Sequence, residues 1–303
     1  MSRRDDYPTG VPCFVDTLTS GVDAALGFYG ELFGWEFAGP GPMAGDPPGG
    51  YWVVRIDGDD VAGVGAAPAG GALAPAWNTH VAVISADDSA AAAAAAGARI
   101  VAAPFDAAPA GRLAVIADPA GATLCLWEAG TRQGAARVNE PSAWAMSLLT
   151  TSDPDAARRF YGELFGWTAE PFGEGIWLWR LPGYVGGEPT QPVPRDVVAA
   201  MAASDDGAPA WGVDFWIADA DAAAAAAPEL GGSVVVAPFA DASFRRTVLA
   251  APDGAAFSVS QRRSPAEPRS GLSRRSARGG AGPQPGGEPA RVGHPPAQRG
   301  HHG

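Results

Sequence analysis

Apolar residues fall in short alternating runs set off by Gly- and Pro-rich turns, and the same succession of runs appears twice. Residues 11–18 (VPCFVDTL), 51–56 (YWVVRI), 79–85 (THVAVIS), 113–117 and 122–127 are short apolar-rich runs bounded by turn signals, which predicts strands. Residues 99–102 predict another and 61–65 a weaker one. After the first run, Leu26, Tyr29 and Phe33 recur at three- and four-residue steps, as on one face of a helix. Ser20 is placed to cap that helix, Asp23 sits in its first turn and Gly34 follows its last. An Ala-rich segment, 90–96, opens with Asp87 and Asp88 and closes at Gly97, and alanine is the best helix former. Residues 39–50 (GPGPMAGDPPGG) read as a loop that hides at most one short strand. The first 130 residues therefore predict two successive βαβββ-like units.

The octapeptide FYGELFGW occupies residues 28–35 and again 160–167, a spacing of 132. Identity over eight residues marks one unit duplicated. Ser152, Asp153, Asp155, Ala157, Phe160, Leu164 and Gly166 repeat the helix signals, and the motif reads first as packing, a helix laid on a sheet. IWLWRL at 176–181 answers YWVVRI, and PAWGVDFWIADAD at 209–221 answers PAWNTHVAVISAD at 75–87. Pro228 should end or kink the second half's Ala-rich helix, because proline lacks a backbone donor. Residues 182–209 are poorly patterned, so a degenerate strand is expected there. The expected division is a flexible N-terminus (1–10), a first domain (11–130), a linker (131–141), a second domain (142–261) and a tail (262–303).

Charge separates the tail from the rest. Residues 262–303 hold eight Arg and two Glu, whereas 1–261 hold 13 Arg and 31 acidic residues, and lysine is absent. The tail has almost no large apolar residues and is expected to be disordered. The acidic body argues against nucleic acid as a partner and would accept cationic small molecules. No run approaches 18 apolar residues, no apolar stretch follows the N-terminal charges, and two cysteines make no disulfide framework. A cytoplasmic protein without a membrane partner is expected, either a monomer with its domains paired within the chain or a homodimer.

A strand, a helix ending in FYGELFGW, then HVAV with a following DD and a DPAG turn, answered in the second half by a strand, FYGELFGW, VDFW, DAD and PDG, resembles the vicinal oxygen chelate superfamily. That superfamily includes glyoxalase I, bleomycin-resistance proteins and extradiol dioxygenases. The two-domain length is most similar to a glyoxalase-like branch, sometimes labelled hydroxylase, of high-GC bacteria. The resemblance covers residues 11–261. It implies an α+β fold of two tandem domains, each pairing βαβββ units into a cupped sheet. In metal-dependent members the ligands come from the first and last strands of each unit and point into the cup.

Carried over residue by residue, the first-strand position falls on Phe14 and Met146. The fifth-strand position falls on His80 and Asp214, and the final-strand position on Cys125 and Ser258. The fourth-strand position falls near Val64, where no acidic or imidazole side chain occurs. A zinc or iron site ordinarily takes three or more protein ligands, so no complete metal site and no cofactor is expected. A divalent metal at His80 and Cys125 is the alternative.

No GxSxG, P-loop, dinucleotide fingerprint or CxxC pair is present. Nothing in the sequence places a serine and an acid beside His80. A carboxylate inside an apolar cup would have its pKa raised, which leaves Asp214 a candidate acid or base. Trp52, Trp77 and Trp127, and in the second half Trp177, Trp179, Trp211 and Trp216, fall on strands. Trp52, Trp177 and Trp179 are candidate ligand-lining residues beside a core-packing role. Arg55 and Arg180 occupy matching positions and are candidates for holding a carboxylate, as Arg112 and Arg245 match each other. The expected function is binding of a small organic molecule in one or both cups, as bleomycin-resistance proteins do. The alternative is a metal-dependent lyase, oxygenase or hydroxylase using His80. A third possibility has the domains bury each other's sheets and leave no cup.

Overall fold

The computed structural model describes residues 3–43, 49–67, 75–186, 194–205, 207–241 and 243–263; the expected disordered tail lies outside them but for its first two residues. Two eight-stranded mixed sheets carry the chain, each curled into a half-barrel. The first comprises β1 (Pro12–Thr19), α1 (Val22–Phe33), β2 (Glu36–Met43), β3 (Gly49–Ile56), β4 (Asp59–Ala66), β5 (Trp77–Val83), α2 (Ala86–Ala95), β6 (Arg99–Ala107), β7 (Gly111–Ala117) and β8 (Thr123–Ala129). The second repeats the order: β9 (Trp144–Thr151), α3 (Pro154–Phe165), β10 (Thr168–Gly173), β11 (Ile176–Arg180), β12 (Val197–Ala203), β13 (Ala210–Trp216), α4 (Ala220–Glu229), β14 (Ser233–Ala240), β15 (Phe244–Ala250) and β16 (Ala256–Arg262). Strand order is β2-β3-β4-β1-β5-β8-β7-β6 in one sheet and β10-β11-β12-β9-β13-β16-β15-β14 in the other. Each is two βαβββ units joined along their first strands, β1 to β5 and β9 to β13.

Several local expectations are corrected. Ser20 and Ser152 cap neither helix: Gly21 stands at the N-cap of α1 without a side-chain bond, and Asp153 caps α3 by accepting from the Ala156 N–H at 2.9 Å. Residues 39–43 of the Gly-Pro stretch lie in an eight-residue strand, β2, that begins at Glu36. Residues 197–203 form a complete strand, β12, although VVAAMAA does not alternate; it lies inside the sheet between β11 and β9, where both faces can be apolar. Pro228 stands one residue before the end of α4.

The repeated octapeptide is the joint between the halves. Trp77 donates from Nε1 to the Tyr29 hydroxyl at 3.0 Å, and Trp211 to Tyr161 at 2.8 Å, so each FY pairs with the tryptophan of its own PAW segment. The motif's last residue reaches across: Trp35 donates to the Ser142 carbonyl and Trp167 to the Gly10 carbonyl, both at 2.7 Å. Phe33 packs on Phe215 of the second sheet, with ring centroids 5.2 Å apart, and Phe28 packs near Phe257. Phe160 and Tyr161 share a core with Val81, Ile116, Leu124 and Leu126 of the first sheet. Both cores are thus built from both halves. Burial of each large aromatic contributes on the order of 2 kcal/mol or more, which makes the octapeptide the least replaceable stretch for packing. With the helices and the other half covering one face of each sheet, the opposite face is the cup. No helix among the described residues is long and apolar enough to cross a membrane.

Candidate functional site

Side chains alternate along a strand, so register decides which residues line a cup. In the first half Phe14 pairs with His80, Asp16 with Asn78 and His80 with Cys125, so these five share one face, turned away from the helices. Tyr51 on β3 joins them. Its ring crosses the sheet over Gly63, where a Cβ would sit 1.9 Å from the hydroxyl oxygen. Glycine at 63 is therefore a steric requirement for this tyrosine.

Asp16 is the hub. Its Oδ2 accepts from the Tyr51 hydroxyl at 3.0 Å and its Oδ1 from Asn78 Nδ2 at 2.9 Å. His80 Nε2 lies 3.2 Å from the same Oδ1, close enough to pair electrostatically, yet without hydrogen-bond alignment. Asp16 and His80 are only 8% and 4% exposed. Burial works to raise the Asp16 pKa; the neighbouring His80 and the donors Asn78 and Tyr51 outweigh it and leave the carboxyl below its usual range. The same carboxylate, after burial itself, pushes the Tyr51 hydroxyl well above the ordinary tyrosine value. Burial, then Asp16, likewise raises the Cys125 thiol well above its usual range, which disfavours a thiolate.

The His80 ring sits edge-on between Phe14 and Trp127, with centroids 5.8 and 6.0 Å away. Neither of its nitrogens has a hydrogen-bond partner. Over Phe14 lies Arg132, 5.9 Å from the ring centroid, which also pairs with Asp60 at 3.3 Å. Asp60 in turn holds Arg55 at 2.9 Å.

The second cup has the same geometry and other chemistry. Met146 faces Asp214, Leu148 faces Gly212 and Asp214 pairs with Ser258. Oδ1 of Asp214 accepts from Ser258 at 2.6 Å and Ser260 at 2.7 Å. Here burial dominates and raises the carboxyl above its usual range, against Arg246 and the two hydroxyls. Leu148, at the Asp16 position, is 37% exposed, and Ile176, at the Tyr51 position, is 41% exposed. This face of the second sheet is thus not wholly buried against the first half.

His80, Cys125 and Phe14 come together in the first cup, and Asp214 lies in the second. Trp52 turns to the opposite face of β3 from Tyr51, against Gly39 and Gly50. Trp179 is fully buried in the core with Tyr161, and Trp177 packs against the same core. Arg180 pairs with Asp196 and Glu170. Arg112 binds Asp87 and Asp106, and Arg245 binds Asp221, which ties strand to helix and leaves neither in a cup. An acid, Asp16, stands beside His80, where the sequence reading placed none. Asp16 is two residues beyond Phe14 on the same strand face, and alternation alone would have found it.

The donors do not fit a resident metal ion. Two ionisable ligands converge in the first cup, Asp16 already engaged by two further donors; the Cys125 thiol resists ionisation; the second cup offers one carboxylate and two hydroxyls. Among the described residues no group of three or more His, Cys, Asp or Glu could hold an ion.

A glyoxalase-like domain model matches residues 13–127 and 133–260. CFP32 of Mycobacterium tuberculosis, which carries a provisional glyoxylase name, is 35% identical over 271 residues, 86% of this chain and 97% of that protein. The anthracycline biosynthesis protein DnrV of Streptomyces peucetius is 31% identical over 274 residues, 84% of this chain and 94% of that one. In fold, the chain is similar to the Mn(II)-bound glyoxalase of Novosphingobium aromaticivorans: TM-score 0.57, 17% identity, 86% of this chain and 83% of that chain.

Proposed function

The chain belongs to the glyoxalase-like family, and on that premise we propose that it binds a small organic molecule in the first cup, without a resident metal. One observation carries the reading: a four-residue polar cluster, Asp16, Asn78, His80 and Tyr51, is built into an apolar enclosure with the imidazole nitrogens unpartnered. An unsatisfied buried polar atom costs about 1–3 kcal/mol, so a fold that keeps one is set up for a group supplied from outside. Phe14 and Trp127 would hold an apolar or aromatic body, and His80 would fix its polar end. The acidic body supports a small molecule over nucleic acid, and the buried free thiols Cys13 and Cys125 suit a reducing cytoplasm.

The names of the relatives suggest the first compounds to try: hydroxyanthraquinones, as tricyclic stand-ins for anthracyclines, and α-ketoaldehydes. Titration calorimetry should give saturable binding to the native chain that weakens at least tenfold in His80→Ala and is unchanged in Asp214→Asn. Equal binding by all three proteins would refute the assignment to the first cup.

A metal-dependent lyase or oxygenase using His80 is the second reading. The unaligned 3.2 Å approach of His80 Nε2 to Asp16 favours it, since two ligands of one ion can stand at that separation; the lack of a third donor opposes it. Metal analysis after incubation with zinc, iron(II), nickel or manganese decides. Stoichiometric metal lost in His80→Ala would establish the second reading.

A further inference from the structure

We propose that the first cup is a metal-independent proton-transfer site, with His80 as the base that takes a proton from carbon and Asp16 as its positioning residue. The inference rests on the first cup being a ligand site and adds what that site does.

Four groups there could exchange protons, and three are engaged or disabled. Both oxygens of Asp16 are taken, Oδ2 by Tyr51 and Oδ1 by Asn78 with His80 beside it. Tyr51 donates its proton to that carboxylate. The Cys125 thiol is buried beside the same negative charge. His80 alone keeps a free valence: Nε2 faces Asp16, which leaves Nδ1 with no partner. A carboxylate behind one nitrogen fixes the ring and stabilises the imidazolium formed when the other takes a proton. Phe14 and Trp127 hold the ring from both sides, so orientation does not depend on the imperfect Asp16 contact alone. Nδ1 is out of contact with water, so a ligand has to displace side chains that cover it. Arg132, over the neighbouring Phe14, is a nearby cation for negative charge that develops on the ligand.

The substrate class is a carbon acid, a small and preferably aromatic compound whose C–H is acidified by an adjacent carbonyl or by a leaving group. For a ketone, the proton goes to Nδ1, the C–H electron pair becomes the enolate double bond, and the same proton returns to carbon or oxygen. The net result is exchange or isomerisation, with no oxidant or reductant consumed.

The test uses 5-nitrobenzisoxazole with the full chain. A base removes its C3 proton, the N–O bond breaks, and a coloured cyanonitrophenolate leaves with the electron pair; the protonated base then releases its proton to water. We expect saturable turnover, with a primary isotope effect on the C3-deuterated probe. His80→Ala and His80→Gln should lower kcat about a hundredfold or more, with partial rescue by added imidazole. Asp16→Asn should lower kcat while leaving probe affinity within about twofold, a split that loss of folding would not produce. Thermal unfolding of each variant checks that it folds. Saturable probe binding without turnover, or turnover untouched in both His80 variants, overturns proton transfer and leaves the binding reading standing. Absence of saturable probe binding overturns both.

Discussion

At the centre of the first cup β1 carries Asp16 and β5 carries Asn78; at the same points of the second, β9 carries Leu148 and β13 carries Gly212. Tyr51 is answered by Ile176, Gly63 by Ala200 and His80 by Asp214. Around these changed positions the frame is the same: one strand order, the FY–PAW hydrogen bond, and the tryptophan that reaches into the other half. Duplication has kept the tryptophan contacts that tie one half to the other and let the cup linings diverge. One became a closed polar cluster, the other a more open apolar surface over a single carboxyl. The two carboxyls diverge accordingly. The partners of Asp16 outweigh its burial and lower its pKa; at Asp214 burial outweighs the partners and raises it.

Removing the hub should give the largest difference. Asp16→Ala strands the buried His80 and the half-buried Tyr51 and Asn78, and breaking a buried charged cluster costs about 3–5 kcal/mol. Leu148→Ala, at the matching but half-exposed position, should cost about 1 kcal/mol or less. Urea unfolding at neutral pH measures both, and equal losses would mean the cups are not differently built. Next comes the floor of the cup. Gly63→Ala forces Tyr51 off Asp16 and should cost about 1–3 kcal/mol, whereas Ala200→Gly in the other sheet should cost only about 0.5–1 kcal/mol through chain entropy.

The smallest effect is in pH dependence. The Asp16 carboxyl is held below its usual range, so the stability it confers is full above about pH 4 and is lost as pH falls through the lowered value. Asp214 is held above its usual range, so the folded state binds the extra proton; its contribution is full below about pH 4 and declines as pH rises through the raised value. Asp214→Asn should therefore raise stability at neutral pH, and Asp16→Asn should lower it there and flatten the acid side of the curve. Melting temperatures from pH 3 to 8 resolve the two.

Much of the frame was legible because it is written twice. The octapeptide, the two PAW segments and the alternation of β1 and β5 all follow from packing that both halves need. The site was less legible for the opposite reason: its members are unique to one half. His80 and Cys125 could be placed from the strand pattern. Asp16 and Asn78 sit two residues from placed positions on the same faces, within reach of the alternation rule. Tyr51 depends on a missing side chain at Gly63 one strand away, and Arg132 on a chain crossing after β8, and neither leaves a local signal. Tryptophans on β3 and β11 look like pocket lining in the sequence because alternation fixes two faces without saying which one the helices cover; Trp179 is on the covered one.

The most direct test is to observe His80 while a ligand binds. The other three histidines lie in the tail beyond the second sheet, at 294, 301 and 302. Ring signals of the full chain should include one that is absent in His80→Ala and is thereby assigned. On titration with a hydroxyanthraquinone that signal should shift saturably, with the midpoint found by calorimetry, and should do so equally in Asp214→Asn. Calorimetric binding with the His80 signal unmoved would place the ligand outside the first cup and contradict the account.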